Sequence, residues 1–302
     1  MTQKPIASLI YDFDKTLSPA NMQEYGFLPG LSIAPADFWS ECRAFSLEHN
    51  MDSILSYMYK MLEKTHPVRP LTRSMLGELG AGVDFFPGVE DWFSRINEYG
   101  RSIGLDVEHY IISSGLEEII EGTSIAREFK AIFACSYCYG ADGHALWPAT
   151  AVNYTNKTQH LFRINKGILD ITNDFDLNGF TPEDRRPVPF RNMIYIGDGL
   201  TDVPSMKMVR MKGGCSIAVH AEGDTNTVDD MLLQDRADFA IEADYRTGSE
   251  MEQTVQALLR QIRSVDECAA LHSIHLDRAR ERAARRNDMP APTEEKWHSG
   301  KE

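Results

Sequence analysis

Three short apolar runs in this chain break off into acidic or hydroxyl residues, and helical periodicity fills the spaces between them. Ile6-Ala7-Ser8-Leu9-Ile10-Tyr11 leads into Asp12-Phe13-Asp14-Lys15-Thr16. Tyr110-Ile111-Ile112 leads into Ser113-Ser114-Gly115. Met193-Ile194-Tyr195-Ile196 leads into Gly197-Asp198-Gly199-Leu200-Thr201-Asp202. Strands that are continuously apolar, rather than alternating, are buried on both faces. Buried strands alternating with helices imply an α/β fold with a mostly parallel sheet covered on both sides. Such sheets bind ligands at the carboxyl ends of their strands, where these polar residues stand.

Residues 6–13 read as the first buried strand. Residues 18–83 then read as a helical insertion with no strand pattern. A helix starts at Pro35-Ala36-Asp37, a second carries Ile54, Leu55, Met58, Met61 and Leu62 and ends near His66-Pro67, and a third carries Leu71, Met75, Leu76 and Leu79 and stops at Gly80-Ala81-Gly82. After a turn at Phe86-Pro87-Gly88, a helix carries Val89, Trp92, Phe93 and Ile96. A further helix starts at Leu116, and Phe129 to Tyr139 reads as a strand before the turn Gly140-Ala141-Asp142-Gly143. A helix follows Asn156-Lys157-Thr158, residues 172–191 form a polar loop, and Ser216–Val219 and Phe239–Ile241 are short strands. From Ser249 an apolar stripe of Met251, Val255, Leu258, Leu259, Ile262 and Val265 is expected to pack on the core. Arg278, Arg280, Arg282, Arg285 and Arg286 read as a solvated face, and the tail from Met289 as disordered.

A formal net charge of −14 over 302 residues tells against nucleic acid or an anionic membrane as main partner. No apolar run reaches the roughly 20 residues of a membrane span, and Met1-Thr2-Gln3-Lys4-Pro5 has no signal-peptide character, so a cytoplasmic protein is expected. The cysteines Cys42, Cys135, Cys138, Cys215 and Cys268 are odd in number and scattered, as in a reducing compartment. Cys135 and Cys138 form one CxxC with no second pair beside it, which reads as two thiols in a strand or hairpin rather than zinc ligands. His272 and His275 read as surface residues.

Asp12 and Asp14 leave the strand end two residues apart and hence on one side. Two close carboxylates repel unless a cation sits between them, and hard oxygen donors suit Mg²⁺. Lys157 opens a helix after a loop. Lys166 is its rival, less favoured because it lies further along the same helical region. A carboxylate nucleophile, a metal, a fixed cation, hydroxyl and backbone N–H donors and an acid are the parts that phosphoryl transfer requires.

In these motifs the chain resembles the haloacid dehalogenase superfamily of aspartyl-nucleophile phosphatases. Asp12-Phe13-Asp14-Lys15-Thr16 is similar to its first motif, Ile111-Ile112-Ser113-Ser114-Gly115 to its second, Lys157 to its third and Gly197-Asp198-Gly199-Leu200-Thr201-Asp202 to its fourth, in the family's order. The helical insertion resembles the cap of the phosphoserine-phosphatase-like subgroup. The resemblance implies a Rossmann-like, mostly parallel three-layer α/β/α core formed by residues 1–17 and 84–248, a helical cap over 18–83, a C-terminal helix over 249–287 and a disordered tail over 288–302. It also implies roles. Asp12 attacks phosphorus, and Asp14 protonates the leaving alcohol and then deprotonates water. Ser113, Ser114, Gly115 and Lys157 bind the phosphoryl group. Asp12, the Asp14 carbonyl and Asp198 hold Mg²⁺, and Asp202 supports the metal's water shell or Lys157. Thr16 is expected to stabilise the turn, and Ser113 to cap the following helix as well as bind phosphate.

The activity implied is Mg²⁺-dependent hydrolysis of a small phosphorylated metabolite. A phosphotransferase or mutase, or a catalytically silent member that binds a phospho-ligand or a protein, is the alternative. Asp14 tells against dehalogenation, because a leaving halide needs no proton. Phosphoserine phosphatases carry a glutamate seven residues after the second aspartate. Here that position is Asn21, with Glu24 three further on, which tells against phosphoserine. Arg43, Lys60, Arg69 and Arg73 are the insertion's candidates for meeting an anionic substrate, and each is equally readable as a solvated helix face.

Overall fold

The structure is a computed structural model and describes residues 4–65 and 70–288. A seven-stranded sheet runs β1 (Ile6–Tyr11), β2 (Asp106–Leu116), β3 (Ala131–Tyr139), β4 (Ala145–Thr150), β5 (Met193–Gly197), β6 (Cys215–His220) and β7 (Phe239–Glu242) in the spatial order β4-β3-β2-β1-β5-β6-β7. Only β4 is antiparallel to its neighbour. The helices are α1 (Phe27–Gly30), α2 (Pro35–His49), α3 (Ser53–Thr65), α4 (Arg73–Gly80), α5 (Val89–Ser102), α6 (Glu117–Glu121), α7 (Lys157–Lys166), α8 (Asp174–Asn178), α9 (Val203–Met211), α10 (Asn226–Leu233) and α11 (Glu250–Asp288). Residues up to Ile262 form one compact unit and those from Arg263 a second.

From β1 the chain builds outward through β2 and β3, then returns to β5 on the other side of β1 and builds outward through β6 and β7. Crossovers between parallel strands are right-handed as a rule, which places the helices of two such halves on opposite faces. The reversal between β1 and β5 is the kind of switch point where open α/β sheets bind ligands. Both strands are buried at every residue, as their unbroken apolar sequences predict. The sheet's centre also buries a polar chain. Trp92 Nε1 donates to the Tyr11 hydroxyl at 2.8 Å, Tyr11 bonds His109 Nδ1 at 3.0 Å, and His109 Nε2 meets Asn97 Oδ1 at 3.2 Å. Burial holds His109 down to about 3, so the ring is neutral, accepts from Tyr11 and donates to Asn97.

Several expectations need correction. The first strand ends at Tyr11, because Lys15 takes a left-handed conformation (φ 57°) and the amides of Thr16, Leu17 and Ser18 all turn back to the Phe13 carbonyl. The second strand is longer than its apolar stretch and runs to Leu116, so the next helix starts at Glu117. The sequence reading missed β4, α9 and α10. In β4 the apolar Leu146 and Trp147 are exposed on a sheet edge, and Pro148 inside the run breaks the pattern of a buried strand. Within 172–191 lies the short helix α8, started by Asn173, whose side chain accepts from the Asp176 amide. Met251, Val255, Leu258, Leu259 and Ile262 are buried, but Val265 is exposed. The expected helix end at His66-Pro67 and the tail from Met289 lie outside the described residues.

The helices between β1 and α5 are fastened to the sheet at several points. Tyr137 Oη donates to the Met58 carbonyl at 2.8 Å, and the Ala145 amide donates to the Leu71 carbonyl at 2.8 Å. Helix α4 lies directly on α6. A Cβ on Gly122 would stand 1.8 Å from the Gly77 carbonyl oxygen, and one on Gly80 would stand 2.3 Å from that of Ile119. Both obstacles are backbone, so a methyl group must push the helices apart. Gly122→Ala is expected to destabilise the fold by about 1–3 kcal/mol in chemical denaturation. Gly30→Ala, where a Cβ meets nothing within 4 Å, is expected to stay within about 0.5 kcal/mol.

Candidate active site

The register aligns Tyr11 of β1 with Ile111 of β2 and with Ile196 of β5. The next residues along each strand are Asp12, Ile112-Ser113 and Gly197-Asp198, so all three polar ends meet at one edge of the sheet. Asp12 continues the ladder through its amide, which donates to the Ile196 carbonyl at 2.9 Å. Its Oδ1 accepts from the Phe13 amide at 2.7 Å. Phe13 is fully buried and anchors the turn.

Lys157 is the centre of this edge. It is fully buried, with Nζ 2.9 Å from Asp12 Oδ2 and 2.7 Å from Asp202 Oδ1. Tyr195 Oη also donates to Asp202 Oδ1, at 2.7 Å. The loop before α7 fixes where the lysine enters. The Lys157 amide donates to the Asn153 carbonyl at 3.0 Å, Asn156 bonds the Asn153 amide and the Ala151 carbonyl, and Asn153 Nδ2 donates to Asp52 at 3.0 Å. Lys166 is elsewhere, with Nζ on the carbonyls of Leu177 (2.5 Å) and Gly179 (2.7 Å).

Carboxylate oxygens of Asp12, Asp198 and Asp202 all lie within 4.8 Å of one another. The Asp14 side chain is not in that group, since its Oδ1 accepts from the Met22 amide at 2.8 Å. Ser113 Oγ accepts from the Gly115 amide at 3.0 Å and caps no helix, which corrects that expectation. Ser114 Oγ is buried without a partner, while the Ser114 carbonyl accepts from Tyr57 Oη at 2.7 Å. Met22 lies against Gly115. A Cβ there would stand 2.1 Å from Met22 Cε, and Met22 Sδ accepts from the Leu116 amide at 3.1 Å. The Thr16 hydroxyl is buried and unpartnered, so the turn is held instead by the Thr16 backbone, whose carbonyl accepts from Tyr245 Oη at 2.8 Å.

Charge dominates this edge. Burial, opposed by Lys157, raises Asp12 to about 6. Burial, then the Asp202 and Asp12 charges, raises Asp198 to about 8. Burial and the Asp12 charge likewise hold Asp14 well above the usual carboxylate range. Burial would lower the lysine, but the charges of Asp12 and Asp202 outweigh it and keep Lys157 protonated. Three clustered carboxylates against one ammonium leave an excess of negative charge. The donors are hard oxygens at close range, and that set fits a divalent cation such as Mg²⁺.

Tyr57, Tyr195 and Met22 were missed in the sequence. Met22 stands alone among polar residues, and no local pattern tells a packing tyrosine from one whose hydroxyl meets a buried carboxylate or carbonyl. Of the insertion's basic residues, Lys60 is buried against Glu41 (3.2 Å) and Glu63 (2.6 Å). Arg73 is half-exposed beside Glu121 at 3.3 Å, Arg43 is exposed, and Arg69 lies outside the described residues. Glu24 accepts from Asn21 Nδ2 (2.5 Å) and from Trp39 Nε1 (2.8 Å). Among the described residues no helix is long and apolar enough to cross a membrane.

No family model matches the chain. A curated relative is an uncharacterized protein of Borreliella burgdorferi, 25% identical over 273 residues, covering 82% of this chain and 94% of the relative. Among solved structures, a probable phosphoserine phosphatase from Vibrio cholerae aligns over 87% of this chain and 67% of its own, with a TM-score of 0.52 at 12% identity. A substrate-bound phosphoserine phosphatase complex aligns over 84% and 99%, with a TM-score of 0.51 at 13% identity. A HAD-family hydrolase from Salmonella enterica serovar Typhi aligns over 80% and 69%, with a TM-score of 0.50 at 16% identity. The chain has the fold of these hydrolases, an α/β core with a mostly parallel sheet.

Proposed function

We propose that this protein is a Mg²⁺-dependent phosphatase that hydrolyses a small phosphomonoester through an aspartyl-phosphate on Asp12. The observation that carries this reading is the buried Lys157 bridging Asp12 and Asp202 at the carboxyl ends of β1 and β5, beside Asp198. Residues 18–83 are read as the cap over the core of residues 1–17 and 84–248.

An Asp12 carboxylate oxygen attacks phosphorus, and the bond from phosphorus to the leaving oxygen breaks. Asp14 gives that oxygen its proton. It can hold one near neutral pH because burial and the Asp12 charge disfavour its ionised form. Water then loses a proton to Asp14 and attacks phosphorus, which releases inorganic phosphate and regenerates the Asp12 carboxylate. Lys157 offsets charge on the nucleophile and the phosphoryl group, while Asp202 and Tyr195 hold it in place. Ser113 and the amides that follow bind phosphoryl oxygens. Asp12, the Asp14 carbonyl and Asp198 would hold Mg²⁺, with Asp202 behind them. The bound ion stabilises negative charge that develops on the transferring group.

The experiment that tests the reading is hydrolysis of p-nitrophenyl phosphate. Release of p-nitrophenol is expected with Mg²⁺ and is expected to vanish in EDTA. Equal rates in the two conditions would sink the metal dependence. Transfer to an alcohol acceptor in place of water, seen as ester product at constant p-nitrophenol release, would favour the phosphotransferase alternative.

The cation should also report in the fold's stability. Asp12 and Asp198 have folded-state pKa values of about 6 and about 8, above the ordinary 3.8. Groups shifted upward favour the fold most when protonated, at low pH, and that contribution is lost as pH rises through the shifted values. A divalent cation binds the ionised forms and offsets the loss. The melting-temperature gain from saturating Mg²⁺ is therefore expected to be small near pH 5 and to grow to several degrees near pH 8. A gain independent of pH in differential scanning fluorimetry would contradict this.

A further inference from the structure

Asp52 stands in the turn between α2 and α3 and bonds in two directions. Toward its own helix it is the N-terminal cap of α3. Its Oδ1 accepts from the Ile54 amide at 2.8 Å, and its carbonyl accepts from the Ser56 amide at 2.9 Å. Its Oδ2 accepts from Asn153 Nδ2 at 3.0 Å, from 101 residues away in the sequence. Asn153 divides its side chain in the same way. Its Oδ1 accepts from the Thr155 amide (3.2 Å), the Thr155 hydroxyl (3.0 Å) and the Asn156 amide (3.1 Å), which closes the turn before α7, and its Nδ2 is given to Asp52. The Asn153 carbonyl accepts from the Lys157 amide at 3.0 Å. A single residue, Asn153, thus joins the α3 cap to the backbone of the lysine that bridges Asp12 and Asp202.

The α3 end of this link is itself fastened. Ser56 Oγ donates to the Cys42 carbonyl of α2 at 2.7 Å, Tyr57 Oη donates to the Ser114 carbonyl, and the Met58 carbonyl accepts from Tyr137 of β3. Asp52 therefore opens a helix that is tied to α2 and to the sheet. Lysine carries its charge on a long, flexible stem. That stem meets two carboxylates at once only when its backbone starts from the right place. We infer that Asp52 is a positioning residue for Lys157, acting through Asn153 to set where the ammonium stands between Asp12 and Asp202. The helices between β1 and α5 then complete the site, which the sheet's own residues do not do alone. The consequence for turnover rests on the phosphatase reading above. The placement of the ammonium does not.

Reversing the bond tests the inference. Asp52→Asn sets an NH2 group against a donor whichever way the new amide turns, and Asn153→Asp sets two carboxylate oxygens against each other. In the double variant the amide at position 52 donates to the carboxylate at position 153, and the cap and the turn keep their acceptors. The two single variants change the net charge in opposite directions, so a loss common to both is not a long-range charge effect. Each is expected to lower kcat/KM for p-nitrophenyl phosphate with Mg²⁺ by about 10-fold, as misplacement of a charged group predicts, and the double variant is expected to recover most of it. The full-length protein is assayed well below the melting temperature of every variant. The ammonium is read directly by NMR of the protein labelled at lysine side-chain nitrogen, with Lys157→Arg identifying the signal. That signal is expected to shift in both single variants and to return in the double. Unchanged kcat/KM in the single variants, losses that add in the double, or a Lys157 signal that stays in place would each overturn the inference. A signal that shifts and returns in a protein without turnover would overturn the phosphatase reading and leave the positioning role standing.

Discussion

Asp12→Asn is expected to lower turnover of p-nitrophenyl phosphate by about 10³-fold or more, and to make the metal-free protein more stable at pH 8. The two effects have one origin. Asp12 is 6% exposed, and its folded pKa of about 6 lies above the ordinary 3.8, mainly because burial penalises its charge and despite its contact with Lys157. The ionised carboxylate is thus a cost to the fold above pH 6. The amide has the shape of the neutral acid, cannot form the phosphoryl bond, and leaves Lys157 its 2.7 Å contact with Asp202. The gain at pH 8 in EDTA is expected to be about 1–3 kcal/mol, and to shrink toward zero near pH 4, where the wild-type carboxyl is protonated. Urea denaturation at the two pH values measures it. A variant that loses turnover and is also less stable at pH 8 would mean that Asp12 serves the fold as one half of a needed ion pair, against the assignment as a strained nucleophile.

The sheet was legible because its central strands carry unbroken apolar runs, and those runs mark burial on both faces. The acidic and hydroxyl residues that end them were legible for the same reason, since the sheet's geometry assigns strand ends to ligands. Lys157 could be preferred over Lys166 from its place at a helix start, and the two lysines do separate, one into the carboxylate cluster and one onto two backbone carbonyls. What sequence could not carry was the partner of each polar group. Ser113 looked like a helix cap, but its hydroxyl folds back to Gly115 within the strand's own end. Thr16 looked like a turn hydroxyl, but the turn is closed by backbone amides. Edge strand β4 was passed over because Pro148 stands inside its short apolar run, and proline is tolerated in a sheet only at such an edge. Nothing local in their helices marks Tyr57 or Trp39. Only the fold shows that one donates to the Ser114 carbonyl and the other to Glu24.

Lys157→Met is expected to be the most damaging single substitution, costing about 3–5 kcal/mol of stability at pH 7 and reducing turnover below detection. The lysine is fully buried and its ammonium is shared by two carboxylates, with a third inside the same 4.8 Å cluster. Removing it strands the buried negative charge of Asp12 and Asp202, which the ammonium bridges. The cost should fall below about pH 6, where Asp12 takes up a proton as Asp198 already has below about pH 8, and the repulsion is relieved. It should fall in part when Mg²⁺ is added, because a divalent ion can offset the same charge. Lys166→Met serves as the comparison, since its ammonium meets the Leu177 and Gly179 carbonyls near the surface and no carboxylate among the described residues. It is expected to cost about 1 kcal/mol and to leave turnover intact. The double variant Lys157→Met with Asp202→Asn completes the cycle. Deleting one of the stranded charges is expected to return part of the lost stability, giving a coupling energy of about 1–3 kcal/mol, while turnover stays absent. If the two losses simply add, the Lys157–Asp202 contact does not organise the site, and the lysine's role would have to be sought at the phosphoryl group alone.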